Sequence, residues 1–474
     1  MNKLSLLFPR LALLAVLVAT TTATTQTLFA QTQQPAAQSH VVHARLKATL
    51  KGHGKSIVEI VFSPDGATVA TGSEDGTVRL WDSETGRERA TLKLAKRLED
   101  LTLVWSPDGR RVATCWYSGF HRTREVQIWD GRTGELLATL EGHGSIVRNV
   151  QWSPDGRLVL TSADDGTAKL WDAETFAPVR TVEYEQVDTS RETGSLLAAV
   201  FTRKKIPDAR VVYARFAATG RTIVVSSFHK PTQLWSTDGQ LLASLVTLDE
   251  YAAQSRDEYS FYSAPLVSLD GRFVATNERE AARLWDARTG EMHHTFSGES
   301  AHAFSPDGRT FLTFSLRDGA NRRFFEAADV VLKLRDAATG DTLKVLRGDL
   351  PGMNAVYWSP DGKSLALNGA GGAKARLLDA EKGSIKAKLP YEGCSETLLG
   401  DGASGCEPFV FSADGRFVSK LTGTLKLYDT EQGRELSVLA GTHRRAAFSP
   451  VDPRLFAARS KDRKTLLLFE LAAR

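Results

Sequence analysis

Short apolar runs alternate with turn signals along most of the chain. Ile57 to Phe62 (IVEIVF) alternates sides, Ser63-Pro64-Asp65-Gly66 turns the chain, and Ala67 to Thr71 (ATVAT) begins a second run. Glu74-Asp75-Gly76 turns it again before Thr77 to Trp81 (TVRLW). Asp82 to Gly86 (DSETG) makes another turn, and Glu88 to Leu92 (ERATL) closes the unit. Each run is rich in β-branched or aromatic residues and bounded by Gly, Pro, Asp or Ser, the pattern of strands joined by tight turns. Pro64 presets the turn dihedral, and Gly66 supplies positive φ at little cost. The unit therefore predicts four antiparallel strands.

The unit recurs. Ser153-Pro154-Asp155-Gly156 precedes Trp171-Asp172 by the same offset that separates Ser63-Pro64-Asp65-Gly66 from Trp81-Asp82. Ser106 to Gly109 precedes Trp129-Asp130, Ala217 to Gly220 precedes Trp235, and Ser268 to Gly271 precedes Trp285. Later copies keep the turn and replace the Trp: Leu334-Arg335-Asp336, Leu377-Leu378-Asp379, Leu427-Tyr428-Asp429 and Leu468-Phe469-Glu470. Fixed-period self-similarity predicts stacked units, each too small to bury its own apolar face. Nine units can be counted, or eight if one weak unit is misread. Arg45 to Leu50 (RLKATL) reads as a fourth strand, and the chain stops just after the third strand of the last unit. The N-terminal strand is therefore expected to complete the final unit and remove free strand edges.

Four short strands in each unit of some forty residues are the mark of a propeller blade. The first and third units resemble the WD-repeat family, whose blades carry a Gly-His pair, a Ser or Thr, an Asp and a Trp joined by hydrogen bonds. Gly52-His53, Thr71, Asp75 and Trp81 match, as do Gly142-His143, Thr161, Asp165 and Trp171, with the same His-to-Asp spacing in both. The resemblance implies an all-β fold, a single closed β-propeller over residues 45–474, and a structural role for these polar groups. His53 and Asp75 lack a nucleophile beside them, which argues against catalysis. The second unit has no Gly-His, and the fourth has Val225 and His229 at the Thr and Asp positions. Later blades are expected to rest more on apolar packing.

The ends and the charge change the picture in one respect. Lys3 and Arg10 flank a short start, and an uncharged run, Leu11 to Ala19 (LALLAVLVA), follows, then small polar residues to Ala30. The run is too short to span a bilayer and reads as a secretory signal peptide over residues 1–30, cleaved after Ala23 or Ala30; the alternative is an uncleaved anchor. Residues 31–44 read as a disordered spacer. Export places the mature chain in an extracytoplasmic compartment. Loss of Lys3 and Arg10 lowers the formal charge from +4 to +2, too little to draw nucleic acid or anionic membrane at long range. Cys394 and Cys406 bracket a Gly-rich stretch and could close a loop with a disulfide worth about 3 kcal/mol, or stay unpaired. Cys115 lies in an apolar strand pattern and reads as a buried thiol.

Five insertions interrupt the repeat. Gln186 to Ala209, Asp249 to Ser263 and Tyr391 to Pro408 lengthen fourth-to-first strand connections; Trp116 to Arg124 and Asp318 to Asp329 lengthen second-to-third turns. In an antiparallel four-strand blade these connections leave from one side, so all five crowd one face of the disc. Long loops on a rigid scaffold commonly carry recognition. They hold Trp116, Tyr117, Phe120, His121 and Arg122; Tyr259, Phe261 and Tyr262; and Arg322, Arg323, Phe324 and Phe325. Aromatics and Arg are enriched in binding hot spots. His293, His294 and His302 lack acidic or thiol ligands at metal spacing, so no metal is expected. No cofactor is expected, and no hydrolase, zinc-protease, phosphate-loop or dinucleotide motif occurs. The expected function is a non-catalytic, monomeric scaffold that binds a protein or peptide partner. The alternatives are an enzyme or small-ligand binder using the central channel, and a structural component of the envelope.

Overall fold

The computed structural model describes residues 42–94, 100–118, 121–122, 124–183, 211–217, 219–227, 230–245, 265–277, 281–316, 330–346, 353–369, 375–389, 409–422, 424–439 and 442–473. The signal-peptide segment, Phe120, Tyr259, Phe261, Tyr262, Arg322, Arg323, Phe324, Phe325, Cys394 and Cys406 lie outside them.

The turn chemistry read from the sequence builds the strands. Ser63 Oγ donates to Asp65 Oδ1 at 2.5 Å, Ala67 N–H donates to the same oxygen at 3.0 Å, and Thr68 N–H reaches Ser63 Oγ at 2.9 Å. The same Ser-to-Asp bond recurs at 2.5 to 2.7 Å in the turns at Ser106, Ser153, Ser268, Ser305, Ser359 and Ser412. Each turn thus satisfies its own backbone groups and forces the next run back antiparallel. The Asp of each Trp-Asp pair works similarly: Asp82 Oδ1 accepts Thr85 N–H at 2.7 Å and caps the following turn.

Nine antiparallel sheets result among the described residues, and no helix. Blade 1 spans Ile57–Phe62, Thr68–Ser73, Thr77–Asp82 and Glu88–Lys93. Blades 2 to 8 run over 100–140, 147–183, 211–244, 266–297, 300–346, 353–389 and 410–439. Blade 9 holds Thr442–Phe448, Leu455–Ser460 and Leu466–Ala473, and its outer strand is the N-terminal Val42–Leu50. That strand pairs antiparallel with the last one, from Val42 opposite Ala473 to Leu50 opposite Leu466. The expected closure is present, with the strand beginning three residues before Arg45.

The core lies between blades. First strands of neighbouring blades approach one another, which places them at the centre of the wheel. One apolar cluster occupies each of the nine junctions. Leu80 and Leu92 of blade 1 meet Leu103 and Trp105 of blade 2; Leu312 and Leu346 of blade 6 meet Leu365 and Leu378 of blade 7. At the seam, Leu455, Leu466 and Leu468 of blade 9 meet Ile57, Phe62 and Trp81 of blade 1. Burying each such side chain stabilises by about 1.5–3 kcal/mol, so every blade depends on both neighbours. Turn glycines lock the junctions: Gly290 has φ +72°, and a Cβ on it would stand 1.9 Å from the Ala243 Cβ of blade 4.

Candidate functional site

Two blades carry the complete polar network. In blade 1 the Trp81 indole N–H donates to Thr71 Oγ1 at 2.8 Å, and Thr71 Oγ1 lies 2.8 Å from His53 Nε2. His53 Nδ1 lies 3.0 Å from Asp75 Oδ2, which also accepts Gly54 N–H at 2.8 Å. Thr77 donates its hydroxyl to Asp75 Oδ1 at 2.7 Å. Blade 3 repeats this: Trp171 to Thr161 at 2.9 Å, Thr161 to His143 at 2.7 Å, and His143 to Asp165 at 2.9 Å. All groups are satisfied when the indole donates to the hydroxyl, the hydroxyl to Nε2, and Nδ1–H to the carboxylate. Burial works against ionising Asp75, yet hydrogen bonds from His53, Thr77 and Gly54 outweigh it and hold the carboxyl well below the usual range. Asp165 behaves alike, through His143 and Thr167. The chain of bonds ties the blade's second and third strands to the segment entering its first, and no reactive group is left over.

Other blades keep fragments. Trp129 donates to Thr114 at 3.0 Å and Trp285 to Thr276 at 2.9 Å, without a His. Trp235 donates to Gln233 at 3.1 Å. Blade 6 does something the sequence reading missed. Glu299 follows Gly298, where blade 1 has Gly52-His53, and Arg335 stands at the Trp position. Glu299 accepts Thr313 Oγ1 at 2.6 Å, Lys333 Nζ at 2.6 Å, and Arg335 Nη2 at 2.7 Å. Arg335 also covers the Phe296 ring at 4.4 Å. Burial penalises the Glu299 charge, but Arg335, Lys333 and Thr313 lower its pKa overall. An ionic set thus replaces the aromatic one. The expectation that later blades rest more on apolar packing did not include this polar set of blade 6. An Arg at the Trp position, needing a buried counter-charge, was the available signal.

The strands bracket all five insertions at the same side of the wheel. Described strands end at Glu183, Ser244 and Leu389 and resume at Val211, Leu266 and Val410. The second-to-third connections of blades 2 and 6 leave from that side too. Trp116 does not belong to a binding loop. It is 7% exposed and packs in the junction between blades 1 and 2, because the strand Arg111–Ser118 continues past it. Tyr117 pairs with Arg122, and Ser118 with His121, so part of this insertion extends the sheet. Cys115 is buried as expected. His302 packs against Phe314 at 4.5 Å, and burial pushes its imidazole down to about 4. Among the described residues no group of three His, Cys, Asp or Glu side chains could hold a metal ion.

Known proteins agree with this geometry. The family model for the WD domain, G-beta repeat, matches residues 44–82 and 134–172. Each match runs from the outer strand of one blade through the three inner strands of the next, as closure at the seam requires. Nuclear distribution protein PAC1 of Arthroderma otae is 29% identical over 267 residues, covering 45% of this chain and 57% of that protein. Protein HIR1 of Cryptococcus neoformans is 26% identical over 217 residues, covering 43% of this chain and 23% of that one. Protein Notchless of Drosophila melanogaster is 27% identical over 176 residues, covering 27% and 35%. The chain thus spans little more than half of the PAC1 protein and less of the other two. The crystal structure of the computationally designed Ika8 protein superimposes with a TM-score of 0.50 and 18% identity, covering 89% of this chain and 98% of that one, a likeness of fold alone. Two stretches of the chain, each containing a complete polar network, thus match the WD domain, G-beta repeat.

Proposed function

We propose that the chain is an exported, non-catalytic scaffold that holds a protein or peptide partner on the face from which its long connections leave. One observation carries the reading: the described strands form a rigid wheel whose long connections all start and end on one side, while the turns opposite stay minimal. The two complete networks are used up in bracing blades, and WD40-repeat relatives are commonly interaction scaffolds. Tyr259, Phe261, Tyr262, Arg322, Arg323, Phe324 and Phe325 are the proposed contacts, together with Phe120, His121 and Arg122. Near-balanced charge leaves nucleic acid and membrane surfaces outside the proposed partners. Export rests on Leu11 to Ala19 and the small residues that follow.

Capture of partners from the extracytoplasmic fraction should succeed with the natural chain and fail with Arg322→Ala/Phe324→Ala/Phe325→Ala at unchanged melting temperature. Equal capture by both would remove this loop from the site. N-terminal sequencing of the mature chain should begin at Thr24 or Gln31; an intact Met1 in the exported fraction would refute cleavage.

A further inference from the structure

Exposed apolar surface lies on the opposite side of the wheel. In the outer strands of blades 1, 2, 3, 5 and 6 the first two residues are exposed and the fifth is buried, as in Leu136–Leu140 and Pro178–Glu183, whereas Leu241, Ile385 and Leu436 of blades 4, 7 and 8 are partly buried. Where they are exposed, folding places no demand for apolar residues at these positions. Blades 2 to 6, five consecutive blades, nevertheless present Leu136 and Leu137 (49% and 42% exposed), Val179 (48%), Leu242 (37%), Met292 (50%) and Leu343 (54%) there. Of the other blades, blade 1 carries Glu88 and Arg89 there, blades 7 and 8 pair a partly buried apolar residue with a charge (Ile385 with Lys386, Leu436 with Glu435), and blade 9 presents Leu46, 49% exposed, beside Lys47. The six apolar side chains of blades 2 to 6 sit just past the short turns and form a continuous arc along the rim of the short-turn face, from which Leu46 is separated by blade 1.

One end of that arc holds a cleft. It measures about 720 Å³ between blades 6 and 7 and is lined by Leu334, Leu343, Trp358, Pro306, Pro360 and Ala380. The corresponding junction between blades 2 and 3 is filled: Arg111 reaches across to the Ala173 carbonyl and lies 5.2 Å over the Phe176 ring. Blade 6 has Thr310 in place of Arg111, and blade 7 has Gly383 in place of Phe176, so the cleft stays open. The Trp358 indole N–H beside it is buried without a hydrogen-bond partner. The other end of the arc carries the paired leucines of blade 2.

We propose that the short-turn face joins two copies of this chain around a two-fold axis that lies in the plane of the wheel and passes through blade 4. That axis sets blade 2 of one copy against blade 6 of the other, and blade 3 against blade 5. Leu136 and Leu137 then enter the open cleft, Val179 packs on Met292, and Leu242 meets its own counterpart. Charge supports a second copy as the occupant. The short turns carry exposed ion pairs, Arg110–Asp108 and Arg157–Asp155 at 4.0 Å and Arg272–Asp270 at 2.5 Å. These turns join first to second strands and so lie inside the apolar arc, and their alternating signs are complementary to themselves: Arg157 and Asp155 face Asp270 and Arg272 across the axis. Turns without insertions leave this face flat enough for the approach. The proposal departs from the monomer expected from sequence and leaves the insertion-bearing face free.

Light scattering on the full chain, from about 1 to about 100 µM, should give twice the chain mass at the upper end. Leu137→Glu/Leu343→Glu should halve that mass with an unchanged circular dichroism spectrum. Leu242→Cys should give a disulfide-linked dimer under mild oxidation, and Glu88→Cys should not; this pair decides the matter if the double variant misfolds. A natural chain that stays monomeric throughout overturns the proposal, and would leave the arc to a different partner. A dimer that survives in the folded double variant also overturns it.

Discussion

Thr71→Val and Thr114→Val make the same change at equivalent positions of blades 1 and 2, with different consequences. Both threonines are fully buried in strands, where Val fits the backbone as well as Thr does. In blade 2 the hydroxyl accepts only the Trp129 indole N–H from the network, so Val orphans one buried donor, at a cost of about 1–2 kcal/mol. In blade 1 the hydroxyl joins Trp81 to His53, so Val orphans the indole N–H and His53 Nε2 together. That loss costs about 2–4 kcal/mol. Urea unfolding followed by near-UV circular dichroism measures both variants against the natural chain. An unchanged slope on denaturant is the check that the comparison concerns stability. The expected order is Thr71→Val well below Thr114→Val, by about 1–2 kcal/mol. Equal losses, or a Thr71→Val loss under about 0.5 kcal/mol, would mean that the His–Asp arm contributes no stability.

Blade 6 offers a harsher test: Arg335→Leu leaves the buried Glu299 charge with Lys333 and Thr313 alone and should cost about 3–5 kcal/mol, most of it recovered in Glu299→Gln/Arg335→Leu. The turn glycines separate strain from clash. Gly298→Ala has nothing within 4 Å and φ +72°, so it should cost about 1–2 kcal/mol, whereas Gly290→Ala adds the collision with Ala243 and should cost about 2–5 kcal/mol in the same unfolding assay. Acid should destabilise the wheel in two windows. His302, held neutral by burial, binds its proton later when folded than when unfolded, so stability falls as pH drops from about 6.5 to about 4, by up to about 3 kcal/mol, and His302→Phe should flatten that limb. Asp75 and Asp165 have lowered folded pKa values, so their contribution is complete above the unfolded carboxylate pKa and fades as pH falls below about 4; Asp75→Asn should make the lower limb shallower.

The strands and their closure were legible because the information is local. A Ser and an Asp two residues apart form the turn, a Gly supplies its positive φ, and alternation sets the faces. The two complete networks were legible for the same reason, since their spacing depends only on strand and turn lengths. Blade 6 was not. Glu299 lies 14 residues before its Thr rather than the 18 that separate His53 from Thr71, and an insertion distances Arg335 further. Trp116 was misplaced because its environment belongs to blade 1, a neighbour that blade 2's own sequence does not reveal. The apolar arc escaped notice for a related reason. An alternating outer strand looks half-buried until the structure shows that residues at its start, such as Leu136 and Leu137, stay exposed outside the blade junctions.

Closure of the wheel by Val42–Leu50 is the claim on which every junction depends. Hydrogen exchange in the last strand, Leu466–Ala473, tests it most directly, comparing the full chain with one beginning at Lys51. With the N-terminal strand in place, the amides that face it should be protected like those of a central strand. The shortened chain should lose that protection and melt at a lower temperature. Equal exchange and equal melting in the two chains would contradict the closed nine-bladed ring.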